Sequence, residues 1–326
     1  MRRMAVGCSR GVLSVVAASL ACLAAPVSVS AAAWVKSVEY VEITLADTVT
    51  TSSTNLTKGQ NTASCVPFAS EMAAGTDDQY ERSFTDLFFQ TGPTRVTAQR
   101  DEGVGTVTVG VYVVEFDPTY VNVQQGIFAI PNATTSSTSG ISTVTLTKAA
   151  LVFYHRQSSF LFYSDLTVAG WFSSASLLSW QRSSGNANIN GHYYVFEAKN
   201  SEFSVQAVSF SIADAVSSNS APITAVDLAK TFVIASHRAE SGNNDNDDSQ
   251  IGVFLSNATT LTAQRQWQSA PPPPNNTITD IRAFVVTVGD GVTVQRGTLS
   301  YAAADLQQTA AITAVMGAVC CRSVVA

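Results

Sequence analysis

Four short blocks recur in the same order along this chain, and that self-likeness constrains its fold more than any other feature. Ile141-Ser142-Thr143-Val144 returns as Ile223-Thr224-Ala225-Val226, and the match runs on without a gap to His155-Arg156 and His237-Arg238. A second set is Val96-Thr97-Ala98-Gln99-Arg100, Leu178-Ser179-Trp180-Gln181-Arg182 and Leu261-Thr262-Ala263-Gln264-Arg265. A third is Val113-Val114-Glu115, Val195-Phe196-Glu197 and Val285-Val286-Thr287, and a fourth is Val121-Asn122-Val123-Gln124, Phe203-Ser204-Val205-Gln206 and Val292-Thr293-Val294-Gln295. A period of about 80–90 residues is that of a tandem array of small domains. Breaks near residues 130, 212 and 301 divide the chain into units 34–130, 131–212 and 213–301, with residues 302–326 opening a fourth. The first unit starts less cleanly: Val66-Pro67-Phe68-Ala69-Ser70 aligns with Phe232-Val233-Ile234-Ala235-Ser236, but residues 59–65 carry extra positions. A partial unit cannot bury its own apolar face. The last residues therefore read either as a truncated or frameshifted unit or as a strand that completes a neighbouring unit, in this chain or another.

Within each unit the residues read as strands. Val292 and Val294 alternate with Thr293 and Gln295, the pattern of a half-exposed strand. Gly289-Asp290-Gly291 just before it supplies turn chemistry, so residues 281–288 and 292–300 are expected to form a hairpin, with Asp117-Pro118 marking the same turn in the first unit. The preceding strand is apolar on both faces (Tyr112 and Val114 against Val111 and Val113, and likewise in the other units), which predicts a central strand covered on both sides. Helical periodicity is nearly absent, and residues 69–75 are the one weak candidate. The expected fold is all-β, a row of antiparallel β-sandwiches. The inter-unit segments 131–140 and 213–222 have equal length, which suggests a regular, bead-like array. The run Pro271-Pro272-Pro273-Pro274 reads as a loop insertion.

The N-terminus has the form of a secretory signal: Met1-Arg2-Arg3, an apolar stretch over 12–23, then small residues up to Ala31-Ala32-Ala33, where cleavage is expected. With residues 1–31 removed, the 18 Lys and Arg fall by Arg2, Arg3 and Arg10 to 15 against 24 Asp and Glu, a net charge of −9. Such a balance argues against nucleic acid, whose phosphates require Lys and Arg. No later segment is long and apolar enough to span a bilayer. Cys65, Cys320 and Cys321 remain after cleavage; they form no spaced disulfide framework, and isolated thiols or a bridge from Cys65 to the C-terminal pair both fit.

Among polar residues the repeated Arg100, Arg182 and Arg265 stand out, with Glu115 and Glu197 one strand later and Thr287 in the third unit. One reading is a binding site in each unit, with guanidinium, carboxylate and the nearby Trp180 or Trp267 gripping a sugar or acidic ligand; the other is a cross-strand Arg–Glu pair. Asp245, Asp247 and Asp248 offer carboxylates for calcium without the glycine and distal glutamate of an EF-hand loop, and a solvated acidic loop accounts for them equally. Asp77-Asp78 lies in the corresponding loop of the first unit. His155 and His237 are repeat equivalents, His192 stands alone, and all three read as strand-end or surface residues. No Gly-x-Ser-x-Gly elbow is present, and no cysteine–histidine or carboxylate pair rises above background.

Val113-Val114-Glu115 followed by 121–126, and Val285-Val286 followed by 292–297, resembles a tandem β-repeat domain of uncharacterised secreted bacterial proteins. The resemblance covers nearly all of the mature chain and departs in the second unit at Ala207-Val208, where the terminal glycine is missing. It implies an exported, modular protein and carries no catalytic residues. The expected function is therefore non-catalytic: a secreted or surface-displayed repeat protein acting in adhesion or interaction, with a glycan or protein partner. The alternative is a structural subunit of an extracellular filament or particle that self-associates through its C-terminal segment.

Overall fold

The computed structural model describes residues 34–74, 84–90, 94–103, 105–157, 166–214, 216–240, 251–265, 278–289 and 291–297. They form three copies of one six-strand pattern. The first contains β1 (Val35–Leu45), β2 (Thr51–Asn55), β3 (Cys65–Ala74), β4 (Asp86–Gln90), β5 (Arg95–Gln99) and β6 (Thr106–Phe116). The second runs through β7 (Val121–Ile130), β8 (Ser136–Gly140), β9 (Ala149–Gln157), β10 (Ala169–Ser174), β11 (Leu177–Gln181) and β12 (Ile189–Ala198). The third holds β13 (Phe203–Ile212), β14 (Ser218–Pro222), β15 (Thr231–Ala239), β16 (Ile251–Asn257), β17 (Thr260–Arg265) and β18 (Ile278–Val288). In every copy the first, sixth and third strands form one antiparallel sheet and the second, fifth and fourth another. Among the described residues no helix is long and apolar enough to cross a membrane.

The sixth strand is central, as its two apolar faces require. In β6 both Val113 and Val114 are fully buried, and in β12 so are Tyr194, Val195 and Phe196. One face looks into its own sandwich. In the first repeat Val107, Val109, Val111 and Val113 meet Leu87, Val96 and Ala98 of the opposite sheet there.

Several expectations are corrected. Residues 281–288 and 292–300 do not form a hairpin: residues 292–297 lie outside any strand, and 298–300 fall outside the described residues. The equivalent β7 is a strand, but it pairs with β12 and not with β6. The sixth strand already has neighbours on both edges, so no edge is left for a strand that follows it. The frame of the repeat is thus one strand earlier than breaks near 130, 212 and 301 imply. Residues 131–140 and 213–222 carry β8 and β14 and are not linkers. The weak helix at 69–75 is strand through Ala74, paired with β6.

The repeats also share a core, so they are not independently tethered domains. A single buried cluster takes Val66, Val114 and Phe116 from the first, most of the second, and Phe203, Val205, Phe284, Val286 and Val288 from the third. Phe196 stacks on Phe116 at 5.7 Å and meets Phe203 at 5.4 Å, while Trp34 touches both Phe116 and Phe203. Exposing such a layer costs roughly 25 cal/mol per Å² of apolar surface, so one repeat cannot unfold without uncovering its neighbours. Thermal unfolding is expected as one calorimetric transition. Phe196→Ala should lower its stability by about 3–5 kcal/mol without splitting it; three resolved transitions would show independent repeats.

Candidate functional site

The recurrent arginine closes a loop. Arg182 is completely buried, its Nε donating to Thr134 O at 3.0 Å and its Nη2 to Pro131 O at 2.9 Å. Arg100 donates to Val49 O and Ala46 O in the same manner and also to Gly105 O. Arg265 reaches Val216 O and Ala213 O. Apart from Gly105, which lies between β5 and β6, these acceptors lie in the connection between the first and second strands, whose turn carbonyls would otherwise be buried without partners. The planar guanidinium fork suits two or three converging carbonyls. Burial pulls the Arg100 pKa down, opposed by the nearby Asp47 charge.

The glutamates sit at the opposite end of the sandwich. Glu115 lies beside Ser37, near the start of β1, whereas Arg100 holds the loop beyond Leu45 at its end, roughly 25 Å away at 3.3 Å per residue. Glu115 accepts from Lys36 Nζ, Ser37 Oγ and the Asn61 amide, and Glu197 from the Thr145 amide. Asn61 and Thr145 begin the short 3₁₀ turns before β3 and β9, so the glutamate caps a turn. Burial disfavours the Glu115 charge, but Lys36 and the two other donors outweigh it and hold the carboxyl below its usual range. In the third repeat the carboxylate has moved onto the turn: Asp227 accepts from the Ala229 amide, and Thr287 pairs with Thr231.

A third fixture was unread in the sequence. Gln124 makes two bonds to the backbone of Ser142, Gln206 makes the same two to Thr224, and Glu39 accepts from the Thr57 amide and hydroxyl. All three latches join a first strand to the segment 18 residues on. Recurrence of the glutamine in the fourth block was the available signal; its partner is backbone and leaves no mark on residue type.

The expected ligand set is therefore not brought together. Neither the binding reading nor the Arg–Glu pair describes Arg100, Arg182 and Arg265, which grip backbone at the far end from Glu115. Trp180 is completely buried, stacked on Phe128 at 4.0 Å and donating to Ser139 Oγ. Trp267, Asp245, Asp247, Asp248, Asp77, Asp78 and the proline run lie outside the described residues, as do Cys320 and Cys321. Among the described residues no group of three His, Cys, Asp or Glu side chains gathers to hold a metal ion. Cys65 is a buried free thiol, its pKa pushed up to about 12 by burial and by Glu115. Arg182→Met is expected to lower stability by about 2–4 kcal/mol in urea, with Arg182→Lys recovering little because an ammonium cannot span both carbonyls. A neutral Arg182→Met would remove the structural role.

The polar chemistry that remains lies where repeats meet. The fourth strands of the first and second repeats, β4 and β10, lay their outer edges on the outward face of the next repeat's first sheet. Tyr194 donates its hydroxyl to Leu87 O at 2.9 Å, and at the equivalent place Ser236 Oγ accepts from the Gly170 amide at 3.1 Å. Asp86, 1% exposed, takes the His192 amide on one oxygen and His192 Nδ1 on the other, with Arg156 Nε at 3.9 Å. Burial raises the Asp86 carboxyl, and the His192 bond and charge pull back against it. Phe88 stacks on the His192 ring at 4.7 Å; in the next junction Trp171 lies under Arg282, 4.2 Å from its centroid. His192 is therefore a junction residue and not a surface one, and the Asp86–His192 pair has both carboxylate oxygens committed to fastening two repeats.

His155 also differs from the surface reading. Its Nε2 is bonded to Leu166 O at 2.7 Å and its ring lies against Phe84 and Phe153. Burial lowers its pKa to about 4, the Leu166 bond opposing and the His237 charge assisting. The folded chain thus keeps His155 neutral where the unfolded chain, titrating near 6.5, is protonated. The stability it allows is complete above pH 6.5, declines as pH falls toward 4 and changes no further below that. The shift corresponds to at most about 3 kcal/mol, less because the residue is only partly shielded from solvent. Between pH 7.5 and 5.5, urea unfolding should show a loss of about 1 kcal/mol that His155→Gln abolishes; an unchanged slope in that variant would place the titration elsewhere.

No family model matches this chain, and no curated protein matches it at a significant level.

Proposed function

We propose that this chain is an exported, non-catalytic repeat protein that works outside the cell as a scaffold, acting through the surfaces its rigid array presents. The observation that carries the reading is the use made of the recurrent polar residues. The arginines, the turn-capping acids and the Gln latches all spend their hydrogen bonds on closing the fold. What differs between repeats is the chemistry of the junctions. A protein selected for catalysis concentrates unlike groups in one cleft, whereas this chain distributes like groups along its length. Its resemblance to tandem β-repeat domains of secreted bacterial proteins belongs to the same proposal, as does the signal segment over residues 1–31 with its small-residue cleavage zone. Adhesion through protein surfaces fits the array; saccharide contact loses support because Trp180 and the three arginines are buried.

Protein recovered from the producing cells is expected in the extracellular or surface fraction, with N-terminal sequencing starting near Ala32. A glycan array probed with and without calcium should stay blank. Cytoplasmic protein that retains Met1-Arg2-Arg3 would reject export, and reproducible glycan binding would reject the protein-surface reading.

A further inference from the structure

Both internal junctions follow one rule, and the rule leaves two complementary faces. The fourth strand of a repeat presents an aromatic side chain opposite the fifth-strand residue three positions before the clamp arginine: Phe88, Trp171 and Phe254 face Thr97, Ser179 and Thr262. The next repeat receives it on its sixth strand, at His192 for Phe88 and at Arg282 for Trp171. Phe254 is the third member of the series, and it is 42% exposed. The matching position on the first repeat is Gly110, three residues before Val113 as His192 is before Val195 and Arg282 before Val285. Glycine leaves room there, and Tyr40 fills it: a Cβ on Gly110 would stand 3.0 Å from the Tyr40 hydroxyl. Tyr40 packs on Tyr112 at 4.9 Å and is 50% exposed, whereas Tyr194 and Phe284, equivalent to Tyr112, are 1% and 4% exposed beneath the preceding repeat's fourth strand.

We propose that a second copy of this chain docks head to tail, seating the Tyr40–Tyr112 face of its first repeat on the β16 edge of the third repeat. This rests on the scaffold reading and names its partner. The contact would stack Phe254 on Tyr40, an aromatic pair in place of Phe88 on His192 and Trp171 under Arg282. It would also supply the Val253 backbone with a hydroxyl, as Tyr194 supplies Leu87 and Ser236 supplies Gly170. The place to be occupied is marked by residues 292–297, which repeat the first-strand pattern without forming a strand. They are held by Val294 N to Ala229 O, by Arg296 reaching Leu255 O, and by packing of Val292 and Val294. An incoming β1 carries the same pattern already paired with β6 and takes that place. The two faces are unlike, so the contact is heterologous and propagates or closes a ring.

Analytical ultracentrifugation of the full mature chain, alone and as Tyr40→Glu and Phe254→Glu, tests this. Wild type is expected to form concentration-dependent oligomers. Each variant alone should sediment as a monomer, with a melting temperature near that of wild type because both side chains are exposed. An equal mixture of the two variants should give a 1:1 dimer and nothing larger, since each keeps the face the other lacks. A wild type that stays monomeric up to its solubility limit overturns the inference while leaving export and the scaffold reading intact. Variants that oligomerise like wild type, or a mixture that stays monomeric, overturn it equally.

Discussion

Strands β1, β7 and β13 exist because a strand roughly 70 residues later arrives to pair with them. The sixth strand of each repeat joins the first to the third and closes one sandwich, and in β12 and β18 its other face attaches the repeat to the one before. Residues 292–297 show how strict this dependence is. Val292-Thr293-Val294-Gln295 has the alternation of Val121-Asn122-Val123-Gln124, yet the latter lies in β7 and the former in no strand. Both segments pack beside the preceding repeat, but only Val121-Asn122-Val123-Gln124 has its sixth-strand partner among the described residues. Strand propensity is a fitness for a pleated, half-buried surface and does not act without a neighbour.

This non-local pairing also marks the limit of what the residues disclose. The all-β class, the three copies and the central, doubly buried sixth strand were legible because burial leaves a pattern in residue type, as in Tyr112, Val113 and Val114. The frame was not. Gly289-Asp290-Gly291 and Asp117-Pro118 look like hairpin turns, and consecutive strands usually pair. Here the chain leaves one sheet at Asp117-Pro118 and enters another, and after Gly291 it enters no strand among the described residues, although local turn chemistry looks the same in either case. Equal spacing of 131–140 and 213–222 likewise reflected a repeated crossing loop between the two sheets and the strand after it, which period alone cannot distinguish from a linker.

The polar residues were misread for a related reason. A recurrent arginine beside a recurrent glutamate invites a pairing between side chains, because sequence shows side chains and hides backbone. Arg100, Arg182 and Arg265 answer instead to carbonyls some 50 residues away in the chain, and Glu115 and Glu197 to amides. The third repeat gave the one available hint. Thr287 replaces the acid and Asp227 appears at the turn, an exchange that makes sense only if the carboxylate serves the turn and not the arginine.

The division between invariant and variable residues then follows from what each must touch. Carbonyls and amides are the same in every repeat, so the side chains that serve them recur: the clamp arginine, the capping acid, the Gln or Glu latch. Junctions are contacts between side chains, and each can be solved differently so long as the two sides agree. Phe88 meets His192 with Asp86 bonded to the ring, and Trp171 meets Arg282 with Asp280 beside the guanidinium at 2.8 Å. A flat aromatic ring against a flat cationic or neutral π-system is common to both. Unlike junctions fix the order of the repeats, since Trp171 on His192 would leave that ring without Asp86, which belongs to the same repeat as Phe88, whereas Arg282 carries Asp280 on its own strand.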